Sequence, residues 1–312
     1  MPTSGDDSLS SVCLAFLRAA QNEDGGWGFH KGAQSRVEPT CWALFALREL
    51  ESAFDRESAG LRFLRSTQLS DGSWPACPSQ TTGCWVTSLA SWVLSADARS
   101  RDAVAAGLRW IINDWPGREP LPARIIRKLF VRTCAARQND SLRAWGWTPG
   151  TASWVEPTAF ALLAIEHAPK ELVPAAGERR RAMATAMLYD RMCPEGGWNC
   201  GNPMVYGVPG QPLIEPTAWA LLALRRENQS EQKIQSLRWL SSALANVSAA
   251  GSLALAEICL EAYGVAYGAS APNLRALYRQ NQFLGNVQVM AWTCLALGPR
   301  TSWFGGPANA HA

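Results

Sequence analysis

Charge of one sign is scarce in this chain: 29 Lys and Arg against 26 Asp and Glu leave a net charge of +3 over 312 residues. A nucleic-acid partner would want a concentrated basic face, and none is present, so no such partner is expected. No apolar run reaches the ~18 residues of a membrane span. The opening Met1-Pro2-Thr3-Ser4-Gly5-Asp6-Asp7 lacks the basic-then-apolar pattern of a secretory signal. The 9 cysteines are odd in number and scattered, which fits reduced thiols in the cytosol better than a disulfide framework. A cytoplasmic location follows as the expectation. Alternating β-branched stretches are missing, so strands should be few. Phosphate-binding loops, dinucleotide fingerprints and G-x-S-x-G nucleophiles are missing too. No cofactor is expected.

What the chain does have is a short phrase used three times: Val37-Glu38-Pro39-Thr40-Cys41-Trp42-Ala43-Leu44, Val155-Glu156-Pro157-Thr158-Ala159-Phe160-Ala161-Leu162 and Ile214-Glu215-Pro216-Thr217-Ala218-Trp219-Ala220-Leu221. Proline is tolerated in a first helical turn, so each copy reads as the start of an apolar helix. Each copy also follows a Gly/Trp turn: Asp24-Gly25-Gly26-Trp27, Trp145-Gly146-Trp147 and Glu195-Gly196-Gly197-Trp198. A fourth turn, Asp71-Gly72-Ser73-Trp74, leads into Gly83-Cys84-Trp85 without the Glu-Pro-Thr. Self-similarity at a spacing of tens of residues marks a repeat architecture. Hydrophobic content of 47%, with 15 Trp, is ample for its core.

Helices with a charged side alternate with helices that are apolar nearly all round, the mark of outer and inner positions. Outer helices are expected near 8–20, 55–67, 100–112, 174–190, 230–244 and 271–281. Inner ones are expected near 40–50, 84–95, 157–166, 216–226, 252–263 and 287–297. Six of each predict an all-α, single-domain α6/α6 toroid over 1–312, a double ring of inner and outer helices. One segment stands outside the count, a basic helical insertion near 113–137 that includes Arg124, Arg127, Lys128 and Arg132. It reads as a solvated helix face, or as a surface for peripheral membrane contact or a diphosphate.

If inner helices run the same way, Glu38, Glu156 and Glu215 gather at one end. The helix dipole favours their anions, whereas burial and mutual repulsion favour a retained proton. Four residues after each Glu stands an aromatic, Trp42, Phe160 or Trp219, with Trp85 and Trp292 taken as the corresponding rings of the degenerate units. These rings either fill the space between helix layers or line a cavity in which π faces stabilise a cation. In the turns, His30, Cys77 and Cys200 follow a Trp by two or three residues. With Cys84 or Cys193 they could converge on a soft metal, though no paired C-x-x-C supports this and no metal site is assigned.

Gln21-Asn22-Glu23-Asp24-Gly25-Gly26-Trp27 and Gln68-Leu69-Ser70-Asp71-Gly72-Ser73-Trp74 both spell Q-x-x-x-G-x-W, and Met192 to Trp198 is the same with the Gln lost. This resembles the QW repeat of the squalene-hopene cyclase and protein-prenyltransferase superfamily, and implies its α6/α6 toroid with an apolar central cavity. In that family the QW residues are structural. Prenyltransferase β-subunits supply Asp, Cys and His to zinc. The similar positions here are Thr82, Cys84 and Pro39, one ligand where a catalytic zinc wants about three, so that activity is not implied. Class II terpene cyclases carry D-x-D-D-T-A at an inner-helix start. Trp154-Val155-Glu156-Pro157-Thr158-Ala159 is similar, with Glu156 on the acid position and Trp154 and Pro157 replacing the flanking carboxylates.

The resemblance implies an acid-initiated cyclase or isomerase acting on an isoprenoid. Glu156 would be the general acid, Glu38 and Glu215 would tune it, and Trp42, Trp85, Trp154, Thr158, Phe160, Trp219 and Trp292 would line the substrate cavity. The alternative is a non-catalytic toroid that binds an isoprenoid or a partner protein as a subunit of a complex.

Overall fold

The computed structural model describes residues 8–50, 57–114, 138–139, 141–265 and 270–298. Nearly all of the basic insertion expected near 113–137 lies outside them. Twelve α-helices fall among the described residues: α1 (Leu9–Ala19), α2 (Val37–Leu50), α3 (Glu57–Ser66), α4 (Val86–Leu94), α5 (Arg101–Arg109), α6 (Val155–His167), α7 (Gly177–Asp190), α8 (Ile214–Ala223), α9 (Glu231–Ala243), α10 (Ala250–Ala262), α11 (Ser270–Asn281) and α12 (Val287–Leu297). The described strands are the two-residue β1 (Met204–Val205) and β2 (Val208–Pro209), paired antiparallel. The chain forms two compact units, one of residues 1–67 with 244–312 and one of residues 68–243.

In the second unit, α6 packs against both α4 and α8, while α5, α7 and α9 cover α4, α6 and α8 respectively. The apolar helices are buried on every side; all nine residues of α4 are inaccessible. In the first unit α12 packs against α1, α2 and α10, with α3 on α2 and α11 on α10. Each unit thus has three inner and three outer helices.

The Glu-Pro-Thr helices begin two or three residues earlier than the expected ranges. Val37, Val155 and Ile214 are their first residues, so each Glu sits inside the first turn and each Pro is the third helical residue. Proline still fits there, because the first N–H groups of a helix have no intrahelical acceptor and its missing donor leaves none unmet. The residue that turns the chain is the one before: Trp154 (φ −119°, ψ 156°) and Leu213 (φ −120°, ψ 150°) are extended.

The Thr of the phrase explains why the turn repeats with it. Thr40 Oγ1 accepts the Trp27 backbone N–H at 2.9 Å, Thr158 that of Trp145 at 3.2 Å, and Thr217 that of Trp198 at 2.8 Å. Thr87 does the same for Trp74 at 2.9 Å in the unit that lacks the Glu and Pro. The turn indoles in turn donate to the outer helix or turn before them: Trp27 Nε1 to Leu17 O at 2.7 Å, Trp145 Nε1 to Ile111 O at 2.9 Å, and Trp198 Nε1 to Leu188 O at 2.6 Å. Gln21 and Gln68 brace the same turns by donating to Gly25 O and Gly72 O, at 2.8 and 2.9 Å. Gly25 and Gly72 each have φ of 90°. A Cβ there would lie 2.5 Å from Ala59 O or 2.7 Å from Ala106 O, on the next outer helix, so only glycine allows the approach.

Candidate functional site

In the second unit the first turns of α6 and α8 bring two carboxylates near each other. Glu156 and Glu215 are both half-buried. Burial, and then the neighbouring Glu215 charge, push the Glu156 carboxyl from 4.5 up to about 7. The helix N-terminus pulls the other way, by about 0.3–1 kcal/mol and at most ~2. A rise from 4.5 to about 7 corresponds to about 3 kcal/mol. Desolvation therefore wins, and Glu156 retains its proton in a large fraction of molecules at neutral pH. Cys200 belongs to the same neighbourhood: its carbonyl accepts the Val155 N–H at 3.3 Å, and Glu156 adds to the rise of its thiol pKa after burial.

Four aromatic rings adjoin this pair in an unbroken series. Trp147 meets Trp85 edge-on, centroids 5.3 Å apart. Trp85 stacks on Phe160 at 5.2 Å and 27°. Phe160 meets Trp219 at 4.8 Å and 66°. Phe160 and Trp219 lie one helical turn past Glu156 and Glu215, as the spacing of four anticipates. Trp85 joins them from a different register. Counting from Thr87, it occupies the position that Glu takes in the other repeats, one residue ahead of α4, rather than the ring position within a helix. Trp147 was visible in the sequence only as part of a turn; its backbone carbonyl accepts the Trp85 N–H at 3.1 Å, which fixes the corner between the two rings.

At this corner an open cleft of about 660 Å³ is walled by Trp85, Trp110 and Trp147, with Thr81, Thr82, Thr148, Gln80, Cys84 and Asp71 also lining it. Of the other residues singled out from the sequence, Thr158 is fully buried and its hydroxyl is engaged with the Trp145 backbone. Trp154 is half-buried, with its N–H on Trp145 O at 2.9 Å. Both hold the turn beside the carboxylates.

The first unit contains a second arrangement of the same kind. Burial pushes Glu38 up to about 7, with the Trp42 side chain acting against the rise. Trp42 meets Trp292 edge-on at 5.5 Å and Phe45 at 5.5 Å. Here the structure follows the expected register, since Trp292 stands five residues after Val287 as Trp42 does after Val37. Cys41 is driven well above its ordinary value by burial and by Glu38.

His30 and the turn thiols Cys77, Cys84, Cys193 and Cys200 do not form a metal-binding cluster: among the described residues no three His, Cys, Asp or Glu side chains are grouped to hold an ion. Cys77 Sγ instead lies 3.1 Å from Ser79 Oγ. Among the described residues no helix is long and apolar enough to cross a membrane.

No protein-family model and no curated protein matches the chain. Solved structures do. The chain is similar to a variant of the type II terpene cyclase MstE from Scytonema in complex with its substrate geranylgeranyl dihydroxybenzoate, with TM-score 0.52 and 16% identity over 88% of this chain and 77% of that one. A second MstE variant, with the product merosterolic acid A, gives TM-score 0.51 and 16% identity over 88% and 78%. A protein from Actinoplanes gives TM-score 0.58 and 14% identity over 93% and 97%. These identities speak to the fold alone. They bear out the all-α, terpene cyclase-like toroid class expected from the repeats.

Proposed function

We propose that this protein is an acid-initiated terpenoid cyclase or isomerase acting on an isoprenoid chain, with Glu156 as the general acid. The observation that carries the reading is the raised Glu156 carboxyl, at about 7, beside Glu215 and one helical turn before Phe160 of the Trp147–Trp85–Phe160–Trp219 series. Protonation of an alkene or epoxide requires a carboxyl that still holds its proton at working pH. Burial together with a like-charged neighbour supplies that condition. The step transfers the Glu156 proton to carbon or epoxide oxygen, leaving a carboxylate on the enzyme and a cation on the substrate. An internal alkene then attacks the cation, and loss of a proton or capture of water ends the sequence. Ring faces stabilise cations by roughly 0.5–2 kcal/mol each, so a row of rings suits a positive charge that migrates.

Similarity in fold to a cyclase whose substrate carries a geranylgeranyl group agrees with this reading. Glu215 acts as the neighbour that keeps the Glu156 proton in place. Glu38, with Trp42 and Trp292, is a modulating or second acid site in its own unit.

The test is product analysis by gas chromatography–mass spectrometry. Squalene, geranylgeranyl diphosphate and geranylgeranyl dihydroxybenzoate would be offered to the native protein and to Glu156→Gln. A cyclic product that disappears in the variant supports enzyme and acid together. A variant as active as the native protein removes Glu156 from the role. No turnover by a folded native protein favours the non-catalytic binding reading.

A further inference from the structure

One repeat differs from the others by an insertion. In three of them the turn Trp N–H meets the Thr hydroxyl thirteen residues on: Trp27 with Thr40, Trp74 with Thr87 and Trp145 with Thr158. From Trp198 to Thr217 the step is nineteen. The six extra residues match the hairpin 204–209, whose strands pair Met204 with Pro209 and Val205 with Val208. Its neck is closed, because Gly210 N–H donates to Pro203 O at 2.9 Å. Asn199 fixes the approach to it. The Asn199 side chain accepts the Gly201 and Asn202 N–H groups at 3.0 and 2.8 Å and donates to Asn202 O at 2.9 Å.

What this projection shows to solvent is apolar. Among the described residues of the second unit, the exposed large hydrophobic side chains are Val205, Tyr206, Val208 and Leu213. Tyr206 is 81% and Val208 65% exposed. The two-residue turn has positive φ at both positions, 51° at Tyr206 and 78° at Gly207. Such turns favour Asn or Gly, so an aromatic side chain at the tip is kept there at a cost in backbone strain. Between Glu195 and Glu215 the sequence contains no Asp, Glu, Lys or Arg.

We infer that the hairpin is a lipid-surface anchor, which places Val205, Tyr206 and Val208 in the interface of a bilayer. Three properties select this occupant. An uncharged stretch can enter the acyl edge of a bilayer without leaving a charge unpaired, whereas protein interfaces carry a polar rim. The exposed side chains offer on the order of a few hundred Å², short of the ~800 Å² per partner that a stable protein interface buries. Tyrosine, apolar in its ring and polar at its hydroxyl, suits the boundary between acyl chains and water. The inference does not depend on the acid assigned to Glu156. Leu213 N–H on Trp198 O at 2.8 Å closes the loop immediately before α8, so the anchor shares an end of the unit with Glu215.

The experiment is co-sedimentation of the full-length protein with neutral phosphatidylcholine vesicles, at low and at high salt. Native protein should bind, and binding should persist at high salt because the hairpin carries no charge to be screened. Deletion of residues 204–209 restores the thirteen-residue step of the other repeats and joins residues that are already hydrogen-bonded neighbours, so the variant should fold. Its vesicle binding should fall by at least about tenfold. Tyr206→Asn combined with Val208→Asp makes the same test with the hairpin kept, since Asn suits the turn and Val208 is exposed. No binding by native protein, binding that high salt abolishes, or variants that bind as tightly as native would each overturn the inference. A dimer that both variants dissolve, seen without vesicle binding, would also overturn it and give the hairpin to contact between copies. Binding is read without turnover, so its failure leaves the acid reading of Glu156 untouched, and an active Glu156→Gln leaves the anchor untouched.

Discussion

Trp85 lies on Phe160 with ring centroids 5.2 Å apart and planes 27° from parallel, although the two occupy different registers of their repeats. Phe160 reaches the stack from within α6, while Trp85 reaches it from the residue before α4. Trp85→Ala removes the ring that joins the cleft to Phe160, and Trp85→Phe keeps a smaller one. We expect the Ala variant to lose product formation by about two- to thirtyfold while the Phe variant retains most of it, as roughly 0.5–2 kcal/mol of ring–cation stabilisation is lost or kept. Steady-state rates on the accepted substrate decide this, with circular dichroism to show that both variants fold.

The activity should also follow the proton on Glu156. Its carboxyl is raised, so the acid form is present below about 7 and lost above it. Turnover is therefore expected to be flat at lower pH and to fall as pH rises through about 7. Glu215→Gln deletes a charge that contributes to the rise, so the fall should move to lower pH. A pH–rate profile whose descending limb is identical in both proteins would separate Glu215 from Glu156.

Much of the architecture was legible because it is carried by period and repetition. All six inner and six outer segments expected from the alternation are helices. The raised glutamates were only half legible. Sequence showed two opposed effects on a helix-start carboxylate, and the outcome depends on how much water reaches the first turns of α2 and α6. The register of Trp85 was not legible, because the degenerate unit lacks the Glu-Pro that aligns the others. Thr87, which makes the same turn bond as Thr40, Thr158 and Thr217, is the signal that would have corrected it. The cleft was hidden for a similar reason, since its walls come from the loop ahead of α4, the segment after α5 and the turn around Trp147, distant in sequence.

The shared threonine bond makes a prediction about stability alone. Thr217→Val keeps the shape but leaves the buried Trp198 N–H without its 2.8 Å acceptor. An unmet buried donor costs about 1–3 kcal/mol. Thr217→Ser should recover most of it, because the hydroxyl returns. Urea unfolding of both variants would show this, and a Val variant as stable as native would mean that water replaces the threonine.

Lys233 gives a second stability test. It is 1% exposed, and its Nζ donates to Leu224 O at 3.0 Å and Glu227 O at 2.7 Å just beyond the end of α8. Carbonyls at a helix end need such partners, and an ammonium there also complements the helix dipole. Lys233→Met preserves the apolar stem and removes the donor, so we expect a loss of about 1–3 kcal/mol. A stability equal to native in the same denaturation assay would contradict the capping role.

The two raised carboxyls make the whole protein's stability depend on pH in a defined direction. In the unfolded chain Glu38 and Glu156 titrate near the ordinary 4.5, and in the folded protein near 7. Between those values the folded state binds more protons than the unfolded state, so stability falls as pH rises. The contribution is fully present below 4.5 and lost by the time pH has passed about 7, at up to about 3 kcal/mol for each group. Glutamine cannot ionise, so Glu38→Gln and Glu156→Gln should each be more stable than native at pH 8 and nearly equal to it at pH 5. Thermal unfolding at the two pH values reads the difference as a shift of several degrees, about 2–4 °C per kcal/mol for a unit of 150–250 residues. A Gln variant that melts below the native protein at pH 8 would mean that the ionised glutamate is stabilised at its helix start, and would remove the basis for using it as an acid.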